Sequence, residues 1–264
     1  MISNTVSIDS HGTAIQTELF SPAGASNGAA VIVVHGSDGM TEPWAASIRE
    51  YAIDLAAKGF TALIPNYFEK TGTTPGLHLF SEPPANCIAN LHSWEEAVSD
   101  TVAHAKTLPG TPVSRIGLLG FSLGGHLCLR LRGLAQALVE LFAPELRDFG
   151  GLGPAGAASP HIQIHHGLAD LLIPFSNAQA IVDVLKHEGA DPELFSYEGA
   201  GHGFAGADPN NATARRSSKD RSLAFLPKYF TLVQDRQKSS DPCCNQGLCV
   251  PGTGILKSRS PAVS

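Results

Sequence analysis

The sequence predicts an α/β protein built on an open, mostly parallel sheet with helices on both faces. Three observations carry this. Several short runs are continuously apolar, as strands buried on both faces require; amphipathic segments at helical spacing lie between them; and the two alternate through most of the 264 residues. The length suits one domain with a sizeable core. A chain that is 43% hydrophobic and 16% charged is not a disordered one.

Taken in order, Val6 to Asp9 and Thr13 to Leu19 alternate loosely around Ser10-His11-Gly12 and read as a β-hairpin. Ala29 to Val34 is an unbroken apolar run, a strand, and gives way to the loop His35-Gly36-Ser37-Asp38-Gly39. From Pro43 to Ala57 the apolar positions Trp44, Ile48, Tyr51, Ala52 and Leu55 fall at helical spacing, and Lys58-Gly59 supplies the C-terminal cap. Phe60 to Pro65 is a second buried strand, which completes a βαβ unit. The alternation then continues with a helix from Trp94 to Leu108, a strand from Arg115 to Gly120 and a helix from Gly124 to about Gly133. Strands follow at Ala137 to Phe142 and His161 to His165, then a helix from about Asn177 to Glu188, a strand from Pro192 to Tyr197, and a last helix within Asn211 to Val233.

Three segments break the rhythm. Glu69 to Leu91 holds Pro75-Gly76 and Pro83-Pro84 and reads as a long irregular loop, a candidate lid. Ala143 to Pro160 is rich in Gly, Ala and Pro. From Asp235 the periodicity is lost. The expected organisation is a working domain over 1–234 and a disordered tail over 235–264.

Composition excludes several classes. The net charge is −6, with 18 Lys+Arg against 24 Asp+Glu and no basic cluster, which argues against a nucleic-acid partner. No stretch approaches the roughly 18 apolar residues of a membrane span. The start lacks the basic-then-apolar order of a secretory signal, so a cytoplasmic protein is expected. Five cysteines do not make a disulfide scaffold. Cys87 reads as a loop thiol and Cys128 as a helix-core residue. Cys243, Cys244 and Cys249 have no neighbouring histidine, whereas a structural zinc wants four ligands, so neither metal nor cofactor is expected. Asn211-Ala212-Thr213 fits a glycosylation sequon, expected to be unused without a secretory signal.

Gly120-Phe121-Ser122-Leu123-Gly124-Gly125 contains G-x-S-x-G. Alone it is a weak signal, with roughly 0.2 chance matches per chain of this composition, and a glycine-rich turn without chemistry fits it as well. Its context adds weight. It lies between an apolar strand and a helix, where a strained turn can expose Ser122 beside the N–H groups of a helix N-terminus. A serine hydroxyl needs a base, and the base needs an orienter. His202 stands in Gly199-Ala-Gly-His202-Gly-Phe204 directly after the last strand, and Asp170 in His166-Gly-Leu-Ala-Asp170 after another, although a turn carboxylate is an ordinary role for Asp170. His165 and His166 read as structural, His187 as solvated. Ser122, Asp170 and His202 thus follow the order Ser, Asp, His, each beyond the carboxyl end of a different strand.

With these residues in place, the chain resembles the dienelactone hydrolase family of the α/β-hydrolase fold, over roughly Val6 to Thr231. The resemblance rests on Val31-Ile-Val-Val-His-Gly36, Gly59 to Tyr67, Gly117 to Gly125, His166 to Asp170 and Gly199 to Phe204. It implies Ser122 as nucleophile, His202 as base and Asp170 as its orienter, with the backbone N–H groups of Leu123 and Ser37 forming the oxyanion hole. Members acting on dienelactones usually carry cysteine at the nucleophile, glutamate at the start of the oxyanion loop and arginine four residues after the histidine. Here those positions are Ser122, Gly36 and Gly206. Without that cation, an uncharged ester or lactone is the expected small-molecule substrate of a monomer or homodimer. Tyr67, Phe68, Phe121 and Phe204 are candidate substrate contacts, with core packing as the other role open to them; Leu168 neighbours the same loops, and Asp38 reads as a solvated loop residue. A non-catalytic binding or scaffold member of the fold is the alternative function.

Overall fold

The computed structural model describes residues 1–80, 85–108, 115–145, 151–153 and 160–230. Strands β1 (Ile2–Ser10) and β2 (Thr13–Ser21) form the expected hairpin, paired antiparallel around a turn with Gly12 at φ 85°. β3 (Ala30–Val34) and β4 (Thr61–Pro65) are joined through α1 (Trp44–Ala57), and α1 ends at Lys58 with Gly59 at φ 88°. Then come α2 (Ala85–Ala105), β5 (Ile116–Phe121), α3 (Leu123–Arg130), β6 (Ala137–Leu141), β7 (His161–Gly167), α4 (Ser176–His187), β8 (Glu193–Tyr197) and α5 (Pro209–Lys228). One eight-stranded sheet results, in the order β1-β2-β4-β3-β5-β6-β7-β8. The pairings β1–β2 and β2–β4 are antiparallel and the rest parallel.

β3 shows why its run has to be continuously apolar. Side chains alternate across a strand, so Ala30, Ile32 and Val34 enter a core shared with α2, α3 and α4, while Val31 and Val33 enter a second core shared with α1 and α5. Every residue of β3 is buried. The same split sorts the middle of the sheet into two apolar layers and leaves the strand ends free to carry polar groups.

One expectation needs correction. The segment 69–91 is not one irregular loop: Tyr67–Lys70 and Leu77–Phe80 form short 3-10 turns, and α2 begins at Ala85 rather than Trp94. The reason lies in spacing. Cys87, Leu91, Trp94 and Val98 recur on one buried face, and Pro83-Pro84 precede the first turn, where proline does not break a helix. Cys87 is therefore a buried helix residue, and with Leu91 it packs into the core. Cys128 is buried in α3 as expected. Met1–Thr231 form one compact unit; the expected tail with its three cysteines, and most of 143–160, lie outside the described residues.

Candidate active site

The turn from β5 into α3 is built around glycine. Ser122 sits at φ 50°, ψ −119°, in the left-handed region a side chain rarely adopts. A Cβ at residue 120 would stand 2.3 Å from the Gly124 carbonyl oxygen, and one at residue 124 would stand 2.3 Å from the carbonyl oxygens of both Val34 and His35. Only hydrogen fits at either place, so the strand, the turn and the first turn of α3 close on one another. As the first residue of α3, Leu123 has an N–H with no partner inside the helix.

His202 and Asp170 reach Ser122 from the ends of β8 and β7. Their loops are tied together: Ala169 N donates to Ala200 O at 3.0 Å, and a Cβ at residue 167 would meet Ala200 O at 2.1 Å, so Gly167 permits the approach. His202 Nδ1 lies 2.8 Å from Asp170 Oδ2, and His202 Nε2 lies 3.1 Å from Ser122 Oγ. A carboxylate only accepts, so Nδ1 carries the hydrogen and Nε2 presents a lone pair to the serine hydroxyl. The other carboxylate oxygen accepts from Leu172 N and Ile173 N at 3.0 and 2.8 Å. Burial pushes the Asp170 carboxyl up, but hydrogen bonds from His166 and His202 outweigh it and hold the group well below the usual carboxylate range. Asp170 is thus a fixed anion behind the imidazole.

The loop after β3 forms the opposite wall. A Cβ on Gly36 would contact Ser122 Cβ at 3.3 Å, which puts the backbone of Ser37 next to the serine. His35 anchors this loop from below. Its ring stacks on Tyr67 at 4.2 Å and meets Phe68 edge-on at 4.9 Å, its Nδ1 donates to Gly36 O, and Tyr67 Oη donates to His35 O at 3.0 Å. Burial lowers the His35 pKa to about 4, against smaller opposing effects of its hydrogen bonds to Gly36 O and the Asn66 side chain, so the ring is neutral at pH 7.

A cleft opens onto Ser122 and His202. Phe121 and Phe204 line it. Tyr67 and Phe68 do not: both are buried beneath the His35 loop, where they hold backbone rather than substrate. Leu168 is exposed and away from the cleft. The sequence reading missed Trp44, Ile48 and Tyr51, which line the cleft from α1, and Phe142, whose ring lies edge-on to His202 at 5.2 Å. Their helical spacing in α1 was visible, but it signalled only a buried face. Asp38, read as solvated, is half-buried at the cleft.

The cleft also contains a cation. Arg215 on α5 lines it and donates from Nη1 to Phe204 O at 2.5 Å. Gly206 stands where the arginine after the histidine is absent, but α5 folds back over the His202 loop and brings to the cleft an arginine that is remote in sequence. Asn211 does related work, because its side chain accepts from Gly201 N and donates to Ala205 O, bracketing His202. The amide of the sequon residue is thereby engaged within the fold. Among the described residues no cluster of His, Cys, Asp and Glu could hold a metal, and no helix is long and apolar enough to cross a membrane.

An open α/β sheet with a serine on a strained strand–helix turn, backed by a histidine and an aspartate from later strand ends, defines an α/β-hydrolase. The comparisons narrow the class. The model of the dienelactone hydrolase family matches residues 15–230, and the chain belongs to that family. It is 28% identical over 178 residues to a Synechocystis sp. protein described as "Putative carboxymethylenebutenolidase", covering 60% of this chain and 69% of that protein. Among solved structures it is similar to a dienelactone hydrolase-like promiscuous phosphotriesterase from metagenomic libraries, with TM-score 0.69, 18% identity, 86% of this chain and 98% of the other. It is also similar to the propionate-bound esterase Est2 of Thermogutta terrifontis, with TM-score 0.65, 20% identity, 86% of this chain and 94% of the other. As a member of this family the chain is a carboxylic ester hydrolase.

Proposed function

We propose that the chain is a cofactor-independent serine hydrolase that cleaves a carboxylic ester or lactone through an acyl-enzyme on Ser122. The continuous chain from Ser122 Oγ through both His202 nitrogens to Asp170 Oδ2, with separations of 3.1 and 2.8 Å, carries this reading. His202 Nε2 takes the serine proton as Oγ attacks the carbonyl carbon, and Asp170 stabilises the imidazolium that forms. The backbone N–H groups of Leu123 and Ser37 receive the developing oxyanion, a contribution of about 3 kcal/mol per donor. His202 then gives its proton to the leaving alkoxide, and water repeats the sequence to release the acid.

The aromatic walls favour an apolar acyl or alcohol portion, while Asp38 and Arg215 offer it polar contacts. The Thermogutta esterase, at 21% identity and TM-score 0.62, has been captured phosphorylated by paraoxon, which makes an organophosphorus probe a natural assay. Ser122→Ala is expected to lower turnover of a short p-nitrophenyl ester by about 10⁴-fold or more while the protein still unfolds cooperatively. A fluorophosphonate should label the parent protein at Ser122 and leave the variant unlabelled. Undiminished turnover in Ser122→Ala would overturn the assignment, and absence of any adduct on the parent chain would favour a binding protein.

A further inference from the structure

Behind Asp170 lies a second buried set of titratable groups that the acyl-transfer scheme does not use. His166 and Glu140 are both fully buried. They come from neighbouring strands: Glu140 of β6 stands opposite Ile164 of β7, and the period of two places Ile164 and His166 on one face of the sheet. His166 Nε2 lies 2.7 Å from Ile173 O and 3.4 Å from Asp170 Oδ2, the same oxygen that takes His202 Nδ1. A carbonyl oxygen only accepts, so Nε2 carries a hydrogen, shared between Ile173 O and Asp170.

That leaves two orphans. His166 Nδ1 and Glu140 Oε2 are both buried without a hydrogen-bond partner among the described residues, while Glu140 Oε1 accepts from Ala143 N. A neutral His166 beside an ionised Glu140 leaves a buried lone pair and a buried charge uncompensated, an arrangement that is costly away from water. A proton on Nδ1 makes the ring a cation beside Asp170, with Glu140 on the adjacent strand.

We propose that His166 is a positioning residue for the triad: an imidazolium beside Asp170 that braces the Asp170 carboxylate and offsets part of its charge. This rests on the serine-hydrolase reading of the site. Burial alone would push the imidazole down, but its hydrogen bond to Asp170 and the charge of Glu140 outweigh that and raise it. Burial raises Glu140 to about 7, with His166 and the Ala143 N–H pulling the other way. From α3, Cys128 has a thiol held neutral by burial, and before α4 Phe175 meets the His166 ring edge-on.

The consequence is for His202. A positive charge on the far side of Asp170 offsets part of the negative charge that the His202 imidazolium of the acyl-transfer step faces. His166→Gln keeps an N–H donor but carries no charge at any pH. We expect the acid limb of its kcat/KM profile to move up by about one pH unit, so that on that limb activity falls about tenfold relative to the parent. An acid limb that does not move in a folded variant overturns the proposal. A second measurement needs neither turnover nor that variant: ¹⁵N-histidine NMR of the His202→Gln protein at pH 7. One slowly exchanging histidine with protons on both ring nitrogens supports the proposal; finding every slowly exchanging histidine neutral overturns it. Failure of the hydrolase reading would show instead in Ser122→Ala.

Discussion

Gly124→Ala tests whether the active-site turn works as the geometry requires. The added methyl would stand 2.3 Å from two backbone oxygens, Val34 O and His35 O, where contacts under 3.0 Å are essentially never found and ordinary contact starts near 3.4 Å. Neither obstacle is a flexible side-chain end. Relief therefore takes about 1 Å of movement between the start of α3 and the loop after β3. Those are the two segments that carry the Leu123 and Ser37 N–H groups. Overpacking of this kind costs about 1–3 kcal/mol of stability, and a displacement of about 1 Å between reacting groups costs about 100-fold in rate. We expect urea unfolding to show that loss, and kcat on a p-nitrophenyl ester to fall about 100-fold at saturating substrate. Gly24→Ala is the control, because a Cβ there meets nothing within 4 Å. A Gly124→Ala protein with parental stability and kcat within about threefold of the parent would refute the argument that glycine is demanded here by a close approach.

Other outcomes follow from the packing beneath the site. His35, His126 and His165 have pKa values lowered by burial to about 4, 3 and 3. Their stabilising contribution is present above the unfolded value near 6.5 and is lost as pH falls toward the folded ones, since the unfolded chain then binds protons the native state refuses. Urea-unfolding free energy should decline steadily from pH 7 to pH 4, with His35 alone accounting for about 3 kcal/mol and His35→Gln flattening the slope accordingly. Tyr67→Phe removes the 3.0 Å hydrogen bond to His35 O and should cost about 1 kcal/mol in the same assay. Because Tyr67 lies under the loop after β3 and is not among the residues lining the cleft, KM should change little; a tenfold rise in KM would make Tyr67 a substrate contact after all.

Much of the site was legible because its chemistry is tied to chain order. A nucleophile turn has to follow a buried strand and open a helix, and Gly120 and Gly124 mark the place by what they lack. Asp170 and His202 follow β7 and β8 in the order that an open parallel sheet imposes on residues meeting at its carboxyl edge. The cleft was less legible. Phe142 and Arg215 have nothing local to distinguish them, and Tyr67 was misread because proximity to a motif in sequence is not proximity to its reactive atom. The early start of α2 was hidden by Pro83-Pro84, which suggest a break but stand ahead of the first helical turn.

What the sequence determined by itself is periodicity and local stereochemistry: which runs are strands buried on both faces, and where a helix ends in glycine. These depend on residues within a few positions of one another. Tertiary structure decided which distant side chains share a low-dielectric space. It brought Arg215 of α5 to the cleft, set His35 on Tyr67, and placed His166 beside Asp170. The charge states of those groups depend on partners remote in sequence and on the exclusion of water, neither of which exists until the sheet and its helices have closed.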